Sequence, residues 1–479
     1  MKGCDSMTPK RTSVACILGL ALGIAPGCEK KEPTAQTAID SNNQVVALEL
    51  AEWGMPLVSF FAQKEANARD MGAQPNQILF WSKPFDHNNK ILTPNDVVLY
   101  ISAPIETFDG PMVLEVPATE GRLGIFGSIV DPFMVPLEDI GGADGIDKGE
   151  GGKILITPPG HSKPIPSDFL HIQPAHYNTV AGLRITPESF DSADIENAIR
   201  YIKKLKLYPY GSSGDKTVFV DGSNRPYDPR PPYDANYFRL LNSYIQTEAH
   251  KPMDEPFIAK MEQIGILKGK DFKADDSYAR IAAMLKEKLQ SGFREVGDPF
   301  FPGAQWTTPV SPSESATQFT YVDKDGNYDW KTRAQTFHWA IWAPKHLGAE
   351  TFYLIGQKDS DGHVLKSTDT YELLVPAKVP AEKFWSVNVY EFETGGTFFD
   401  DVPKVAVSSK NEDLVYNDDG SVTLTFGPDL PEGRPAANFV PTGGTGHWFA
   451  LFRWYGPLPE LMPNSGDNRW VMGDFTRLP

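Results

Sequence analysis

Cysteine is nearly absent from this 479-residue chain, which contains only Cys4, Cys16 and Cys28. All three precede the part of the chain that we expect to fold. A folded body without thiols cannot form disulfides, thiolate metal sites or a cysteine nucleophile. These classes of chemistry are therefore excluded before any motif is considered.

Positive charge is also in short supply. The chain has 45 Lys and Arg against 62 Asp and Glu, which gives a formal net charge of −17. Phosphate backbones are bound by concentrated basic surfaces, and no long Lys/Arg run occurs in the sequence. We therefore expect no nucleic-acid partner.

Long apolar runs are missing as well, apart from one near the amino terminus. Lys10 and Arg11 precede the segment SVACILGLALGIA at 13–25, which is too short to span a bilayer and is typical of an export signal. Small residues at 25 and 27 then lead to Cys28, as in a bacterial lipoprotein signal. We predict a signal peptide at 1–27, lipidation of Cys28 and a polar tether at 28–43.

The predicted location is therefore the bacterial cell envelope, with the body held at a membrane by its amino-terminal lipid. Cleavage by the ordinary signal peptidase and a plain membrane anchor are the alternatives. Which membrane holds the anchor stays open. Translation from Met7 instead of Met1 would give a more conventional signal.

Turn-rich β structure is favoured by 41 Gly and 41 Pro together with 28 Phe, 17 Tyr and 10 Trp. Short strand-like runs recur between 77 and 209 and again in the last third of the chain. Between them, three helical patterns have Asp234, Asp254 and Asp275 at their cap positions. We predict a mainly β fold with an α insert: two antiparallel jelly-roll or β-sandwich domains linked by a helical region.

The predicted domain boundaries follow these changes of pattern. Residues 44–210 form an amino-terminal helix, kinked near Pro56, followed by the first β-sandwich. Residues 211–345 form a loop and helical linker. Residues 346–479 form the second β-sandwich.

Eight short motifs carry a resemblance to a known family. In chain order they are AEWGMPL, LTPNDVVLY, EVPATEGRLGIFGSIVD, YDWKTRA, EKFWSVNVYE, NDDGSVTLTFGPDLP, ANFVPT and WFALFRWYGP. Together they resemble the bacterial family that pairs domain of unknown function 1254 with domain of unknown function 1214. The resemblance implies two jelly-roll β-sandwiches with helices between and around them, in exported proteins. It implies no settled reaction, although members are discussed as hydrolase-like, and homo-oligomers are compatible with it.

The motifs supply a candidate catalytic cluster of Asn95, Arg122 and Asp131, with Tyr100 beside it. We expect these residues to meet in one cavity of the first sandwich, because they lie on neighbouring strands. An acid beside an arginine can act as a general base or bind a carboxylate. The alternative is a buried ion pair that orders the sandwich.

The segment DKDGNYD at 323–329 poses a choice between a calcium loop and a tight turn. Its spacing departs from an EF-hand, because Gly326 stands at position 4 of the count from Asp323 instead of position 6. We predict a turn and a helix start. Asp329 and Arg333 of YDWKTRA are kept as ligand-binding candidates.

Two further groups of residues are considered as binding sites. His161, His171 and His176 are a weak alternative for a metal site, against polar loop histidines, and a divalent metal is left open as a cofactor without being favoured. In the second domain, an aromatic face suited to a ring-containing ligand or glycan is predicted. Its residues are Trp385, Tyr390, Asn438 and Arg453, against core packing as the alternative.

Two functions therefore remain open from the sequence. One is an exported hydrolase acting on a small molecule or glycan in the first sandwich. The other is a non-catalytic envelope lipoprotein that binds a ligand or glycan, or has a structural role. The sequence names no substrate and does not fix the oligomeric state.

Overall fold

The computed structural model describes residues 40–119, 123–346, 351–398, 404–444 and 446–479. Within these residues the chain forms eight α-helices and 18 β-strands. The helices are α1 (Ser41–Trp53), α2 (Met55–Met71), α3 (Ser192–Ile202), α4 (Ala235–Thr247), α5 (Glu255–Gln263), α6 (Asp276–Phe293), α7 (Pro312–Ala316) and α8 (Trp330–Trp339). The strands before the helical region are β1 (Ile78–Phe80), β2 (Leu99–Glu106), β3 (Met112–Val116), β4 (Gly124–Val130), β5 (Pro136–Ile140), β6 (Gly152–Ile156), β7 (Leu170–Ile172), β8 (Asn178–Thr186), β9 (Lys206–Pro209) and β10 (Phe219–Asp221). The strands after it are β11 (Thr351–Gly356), β12 (Tyr371–Val375), β13 (Ala381–Glu391), β14 (Ala406–Ser408), β15 (Val422–Gly427), β16 (Phe439–Pro441), β17 (Trp448–Pro457) and β18 (Thr476–Arg477).

The first β-sandwich consists of a six-stranded sheet in the order β10-β1-β2-β8-β4-β5 and a four-stranded sheet in the order β7-β6-β3-β9. Neighbouring strands are antiparallel except for the parallel pairs β1/β10 and β6/β7. One apolar core joins the sheets, with Ile101 and Leu183 from the first and Leu114 and Ile154 from the second. Alternation along the strands sends these residues to the inner faces.

The second β-sandwich pairs the sheet β11-β17-β13-β14 with the sheet β16-β15-β12-β18. Val387, Leu424 and Phe452 belong to the core that the two sheets share. Strand β17 alternates so that Leu451 and Arg453 lie on the face away from this core. Both faces of β17 are buried, as the sequence predicted for a central strand between layers.

Helices cover the outer face of the six-stranded sheet. Their core includes Trp53 of α1, Leu241 of α4 and Phe337 of α8, together with Tyr100 and Val180 from the sheet. The helix predicted to kink near Pro56 is two helices that meet at Gly54 with an angle of 65° between them. Pro56 lies in the first turn of α2, where its missing N–H leaves no hydrogen bond unmade.

The three predicted cap positions are confirmed. Asp234 and Asp275 accept hydrogen bonds from the first-turn N–H groups of α4 and α6. Asp254 is the N-cap residue of α5, but its side chain makes no capping hydrogen bond. Its side chain is buried, and its surroundings are described with the site below.

The predicted fold class, mainly β with an α insert between two β-sandwiches, is confirmed. Over the part of the chain described, no single helix is long and apolar enough to cross a membrane. The bent pair α1 and α2 together meets that condition by length and composition.

Candidate functional site

The 93–96 loop, which leads into β2, connects the two sandwiches. Side chains of β13 and β17 are hydrogen-bonded to all four of its residues. Arg453 donates to Thr93 O (3.2 Å), and Tyr390 donates to Pro94 O (2.6 Å). Asn95 is bonded to Tyr455, and Asn388 donates to Asp96 Oδ1 (2.9 Å). The Asn95 backbone N–H also donates to Tyr100 Oη at 3.0 Å. The loop is therefore fixed from both sides.

A cavity of about 140 Å³ opens beside this loop, between the two sandwiches and α8. Trp339, Trp342 and Phe126 supply apolar wall. Polar side chains enter from the loop and from both sandwiches: Asn95, Tyr100, Arg184, Tyr353 and Arg453. We call this space the interdomain cavity. An apolar pocket with a few convergent polar groups is the usual form of a small-molecule site.

The two arginines occupy matching positions in their sheets. Arg184 on β8 lies opposite Tyr100 of β2, and its guanidinium carbon is 5.5 Å from the centroid of that ring. Arg453 on β17 lies opposite Tyr353 of β11, at 5.4 Å from its centroid. Each guanidinium is thus held near an aromatic ring by cross-strand pairing.

Both guanidinium groups are permanently charged. Burial acts to lower the pKa of Arg184 and of Arg453, but neighbouring tyrosine hydroxyls outweigh it, and both pKa values are raised above the ordinary arginine value. Tyr100 and Tyr353 act on both arginines, which indicates that the two guanidinium groups face the same space. At neutral pH the cavity therefore carries two positive charges at this end.

Some residues that line the cavity have a strained backbone. Three of its lining residues, Thr93, Phe319 and Trp342, have positive φ angles of 39°, 61° and 60°. For β-branched and aromatic side chains this conformation is unfavourable by about 1–3 kcal/mol each. Trp342 can lie against β8 because Gly182 there has no side chain, and a Cβ at that position would collide with the indole ring. Such strain is typical of functional sites.

Asp131 lies outside the interdomain cavity, in a second polar cluster under the helices. Its Oδ2 accepts a hydrogen bond from Lys251 Nζ at 2.8 Å and lies 3.4 Å from His176 Nδ1. Its Oδ1 accepts the N–H groups of Phe133 and Val135 at 2.9 and 3.1 Å. Burial alone would raise the pKa of Asp131, but Lys251 and His176 hold it well below 3.8.

Asp254 lies near Asp131, but its pKa is shifted in the opposite direction. It is 1% exposed, and neither carboxylate oxygen has a hydrogen-bond partner among the described residues. Burial raises the pKa of Asp254 above 3.8, although Arg333 and Lys251 oppose the shift. Asp254, Lys251 and Arg333 line a groove of about 310 Å³ that also includes Tyr328. We call Asp131, His176, Lys251, Asp254 and Arg333 the Asp131 cluster.

The candidate catalytic residues are therefore not brought together. Asn95 and Tyr100 line the interdomain cavity, whereas Asp131 turns towards Lys251 and the helical layer. The prediction that these residues share one cavity is wrong. Two backbone N–H groups just beyond β4 bind the Asp131 carboxylate and direct it away from the interdomain cavity. Arg122 and Cys28 lie outside the described residues. Any catalytic role of Asp131 stays a prediction.

The other ligand-binding candidates lie at the interdomain cavity, in the Asp131 cluster or in the protein core. Arg453 lines the interdomain cavity, Tyr390 holds the 93–96 loop, and Arg333 belongs to the Asp131 cluster. Trp385 packs in the core of the second sandwich, which confirms the core-packing alternative for it. Asn438 hydrogen-bonds the backbone of Val415 and Thr423 and is structural.

The predicted turn at 323–329 is confirmed. Asp323 accepts the side-chain amide of Asn327 at 2.8 Å and the backbone N–H groups of Asp325 and Asn327 at 2.9 and 2.8 Å, and these bonds lower its pKa. Asp329 caps α8 by accepting the Thr332 N–H at 3.1 Å and its hydroxyl at 2.7 Å. Its carboxylate thus satisfies hydrogen-bond donors in the first turn of α8.

The histidine alternative for a metal is not supported by the geometry. His176 is fully buried between Phe133 and Tyr244, while His171 bonds Thr157 at 3.0 Å on another sheet. Among described residues, the grouping whose ligand atoms lie within 4.8 Å of one another is Asp359, Asp361 and His363. Asp359 there accepts the N–H groups of the other two, as in an ordinary Asp-Gly turn.

Several site residues were missed from the sequence. Arg184 left one local signal, a lone charge within the apolar strand TVAGLRIT, which a strand buried on both faces does not need. Tyr353, Trp342, Lys251 and Asp254 left none. Their positions follow from contacts between segments far apart in the chain.

Comparison with known proteins identifies the family. Residues 75–209 match the family described as Protein of unknown function (DUF1254), and residues 350–459 match Protein of unknown function (DUF1214). The chain belongs to this paired family. The resemblance read from the eight motifs is thus confirmed, and the DUF1254 and DUF1214 regions contribute opposite walls of the interdomain cavity.

Among solved structures, this DUF1254–DUF1214 protein is similar to the VPA0106 protein from Vibrio parahaemolyticus. The TM-score is 0.56 at 15% identity, covering 91% of this chain and 100% of the other, which shows a shared fold. An uncharacterized protein from Burkholderia cenocepacia aligns over 91% of this chain and 94% of its own, with 12% identity and a TM-score of 0.42. The comparison with curated proteins gave no match.

Proposed function

We propose that this protein is a non-catalytic, small-molecule-binding protein of the bacterial cell envelope, with the interdomain cavity as its binding site. One observation carries the proposal: an apolar cavity at the junction of the two sandwiches receives polar side chains from both. The strained Thr93, Phe319 and Trp342 support it, because strain of this kind persists where function requires it.

The electrostatics of Asp131 also favour binding over catalysis by that residue. A general base acting near neutral pH needs a pKa close to that pH. The pKa of Asp131 is shifted the other way, and its oxygens are occupied by Lys251 and backbone N–H groups. Its chemistry is that of a buried structural ion pair.

Binding can be tested with N-phenyl-1-naphthylamine, a neutral dye that fluoresces in apolar sites. We expect saturable binding near one dye per chain, weakened at least about tenfold by Ala343→Trp, which would fill the cavity. Ala283→Trp, on the exposed side of α6, is the matched control. Undiminished binding to the Ala343→Trp variant would sink the proposal.

The site would operate outside the cytoplasm, tethered through Cys28, as the signal-like segment at 13–25 indicates. We expect Cys28→Ala to release the protein from the membrane fraction and to abolish labelling with a palmitate analogue. A wild-type chain that is unlabelled and found in the cytoplasm would contradict this location.

Hydrolysis is the second candidate function, because Asp254 combines a raised pKa with a place in an open groove beside Arg333. A panel of ester and glycoside substrates tests it on wild type, Asp254→Asn and Asp131→Ala. Turnover that disappears in Asp254→Asn while the variant stays folded would support the hydrolase. Equal traces in all three would end it.

A further inference from the structure

Arg453 is buried and Arg184 is partly buried, and neither guanidinium has an acid in contact among the described residues. Among the residues described, no carboxylate oxygen lies within 4.0 Å of either guanidinium group. Arg453 is 4% exposed, and its Nη1 has no hydrogen-bond partner within the described part of the chain. Lys251 offers a contrast, since it is paired with Asp131 at 2.8 Å.

The tyrosines around the arginines do not supply the missing negative charge. Burial raises the pKa of both Tyr390 and Tyr455 well above 10.0, so these phenols stay neutral at physiological pH. Tyr353 and Tyr100 contact the guanidinium groups through their rings, and Arg453 Nη1 is left without a hydrogen bond among the described residues. Buried cations without a counter-charge are unfavourable, so an anion in the cavity would be stabilised.

Of the acids near the cavity, Asp139 and Asp96 are already occupied, whereas Asp144 is an exposed lining residue. Asp139 accepts hydrogen bonds from Ser128 Oγ (2.7 Å) and from the N–H groups of Lys345 and His346 (2.8 and 2.9 Å). Asp96 senses the charge of Arg453, but burial raises its pKa and its carboxylate is held by Asn388. Neither completes a salt bridge with an arginine of the cavity.

We infer that the ligand of the interdomain cavity is an organic anion, whose acidic group lies between Arg184 and Arg453 and whose apolar body lies against Trp339 and Trp342. The inference rests on the proposed function and adds the ligand class to it. Carboxylate, sulfonate and phosphate groups share the required chemistry, because each accepts charge-assisted hydrogen bonds from guanidinium.

A matched pair of dyes tests the charge. 8-Anilinonaphthalene-1-sulfonate has the same rings as N-phenyl-1-naphthylamine and adds one sulfonate. We expect the sulfonate dye to bind wild type about tenfold more tightly than the neutral dye, since each tenfold step equals about 1.4 kcal/mol. Arg184→Gln and Arg453→Gln should each remove most of this preference, measured as the ratio of the two affinities in the same variant.

Two control variants test whether the preference depends on these arginines and on their geometry. Arg200→Gln, on the exposed face of α3 and paired only loosely with Glu196 at 3.9 Å, should leave both affinities unchanged. Arg453→Lys keeps the charge without the planar fork and should retain part of the preference. It also serves if Arg453→Gln does not fold.

The outcomes separate the two proposals. Equal affinity of wild type for the two dyes, or a preference that survives in the folded glutamine variants, overturns the anion assignment and leaves the binding function standing. Failure of both dyes to bind overturns both. A sulfonate preference that depends on the two arginines supports both.

Discussion

At the scale of single residues, Asp131 and Asp254 show how one cluster gives two carboxylates opposite properties. Lys251 and backbone donors stabilise the charged form of Asp131, whereas Asp254 is buried without a hydrogen bond. The pKa of the first is lowered and that of the second is raised. Substitution by asparagine should therefore have opposite effects at the two positions.

Asp131→Asn should lower the free energy of unfolding at pH 7 by about 3 kcal/mol, because it removes the buried carboxylate that pairs with the partly buried Lys251. An acid with a lowered folded pKa stabilises the protein above its unfolded pKa and loses this contribution as pH falls. The deficit should thus shrink below about pH 3.8, the ordinary value. Urea unfolding across pH measures it, and a deficit that is independent of pH would contradict the ion-pair account.

Asp254→Asn should raise the free energy of unfolding at pH 7 by about 1 kcal/mol, since it removes a buried ionisable group without a partner. A raised folded pKa means that the native state binds more protons, so wild-type stability falls as pH rises from about 3.8 through the folded pKa. The gain should appear only above that lower limit. A loss of stability at pH 7 would show that Asp254 has a partner in solution.

The sequence reached part of this cluster. Asp131 and Arg333 were selected from separate motifs, and the structure does bring both into one neighbourhood. Lys251 was not selected, and Asp254 was selected only as a helix cap, because the turn between α4 and α5 carries no functional motif. The contact of this turn with the end of β4, from Lys251 to Asp131, joins segments far apart in the chain. The signs of the two pKa shifts depend on those contacts and could not be predicted.

At the scale of secondary-structure elements, local chemistry was predictable. The Asp-Gly turn at 323–329 and the caps at Asp234 and Asp275 depend on residues a few positions apart, which a sequence displays directly. Asp254 fits the same local pattern, yet its buried side chain makes no capping hydrogen bond.

The start of α8 offers a test at this scale. Asp329→Ala should lower the free energy of unfolding by about 1 kcal/mol, because the cap bonds to Thr332 are lost. Asp325→Ala in the same loop, where the carboxylate contacts the exposed Lys324, should change it little. Adding calcium should leave the melting temperature of wild type unchanged. A calcium-dependent rise that Asp329→Ala abolishes would instead indicate a metal loop.

At the scale of the whole molecule, the order of elements was predictable but the junction was not. Two β regions around helices follow from strand and helix patterns along the chain. The junction depends on which face of β17 contacts the 93–96 loop. The alternation of side chains along a strand shows which residues share a face, but it does not show which segment packs against that face. For that reason Asn95 was assigned to a cavity of the first sandwich, whereas it binds Tyr455 of the second.

The junction predicts how the protein unfolds. Thr93, Pro94 and Asp96 are each bonded to a buried side chain of the second sandwich, so separating the sandwiches would expose Arg453, Tyr390 and Asn388 with their partners lost. Losing several buried hydrogen bonds at once is costly, which couples the two parts. We expect one calorimetric transition, with the calorimetric enthalpy equal to the van't Hoff enthalpy. Asn95→Ala should lower the melting temperature of that single transition. Two resolved transitions in wild type would mean that the sandwiches are held by their own cores and that the loop merely bridges them.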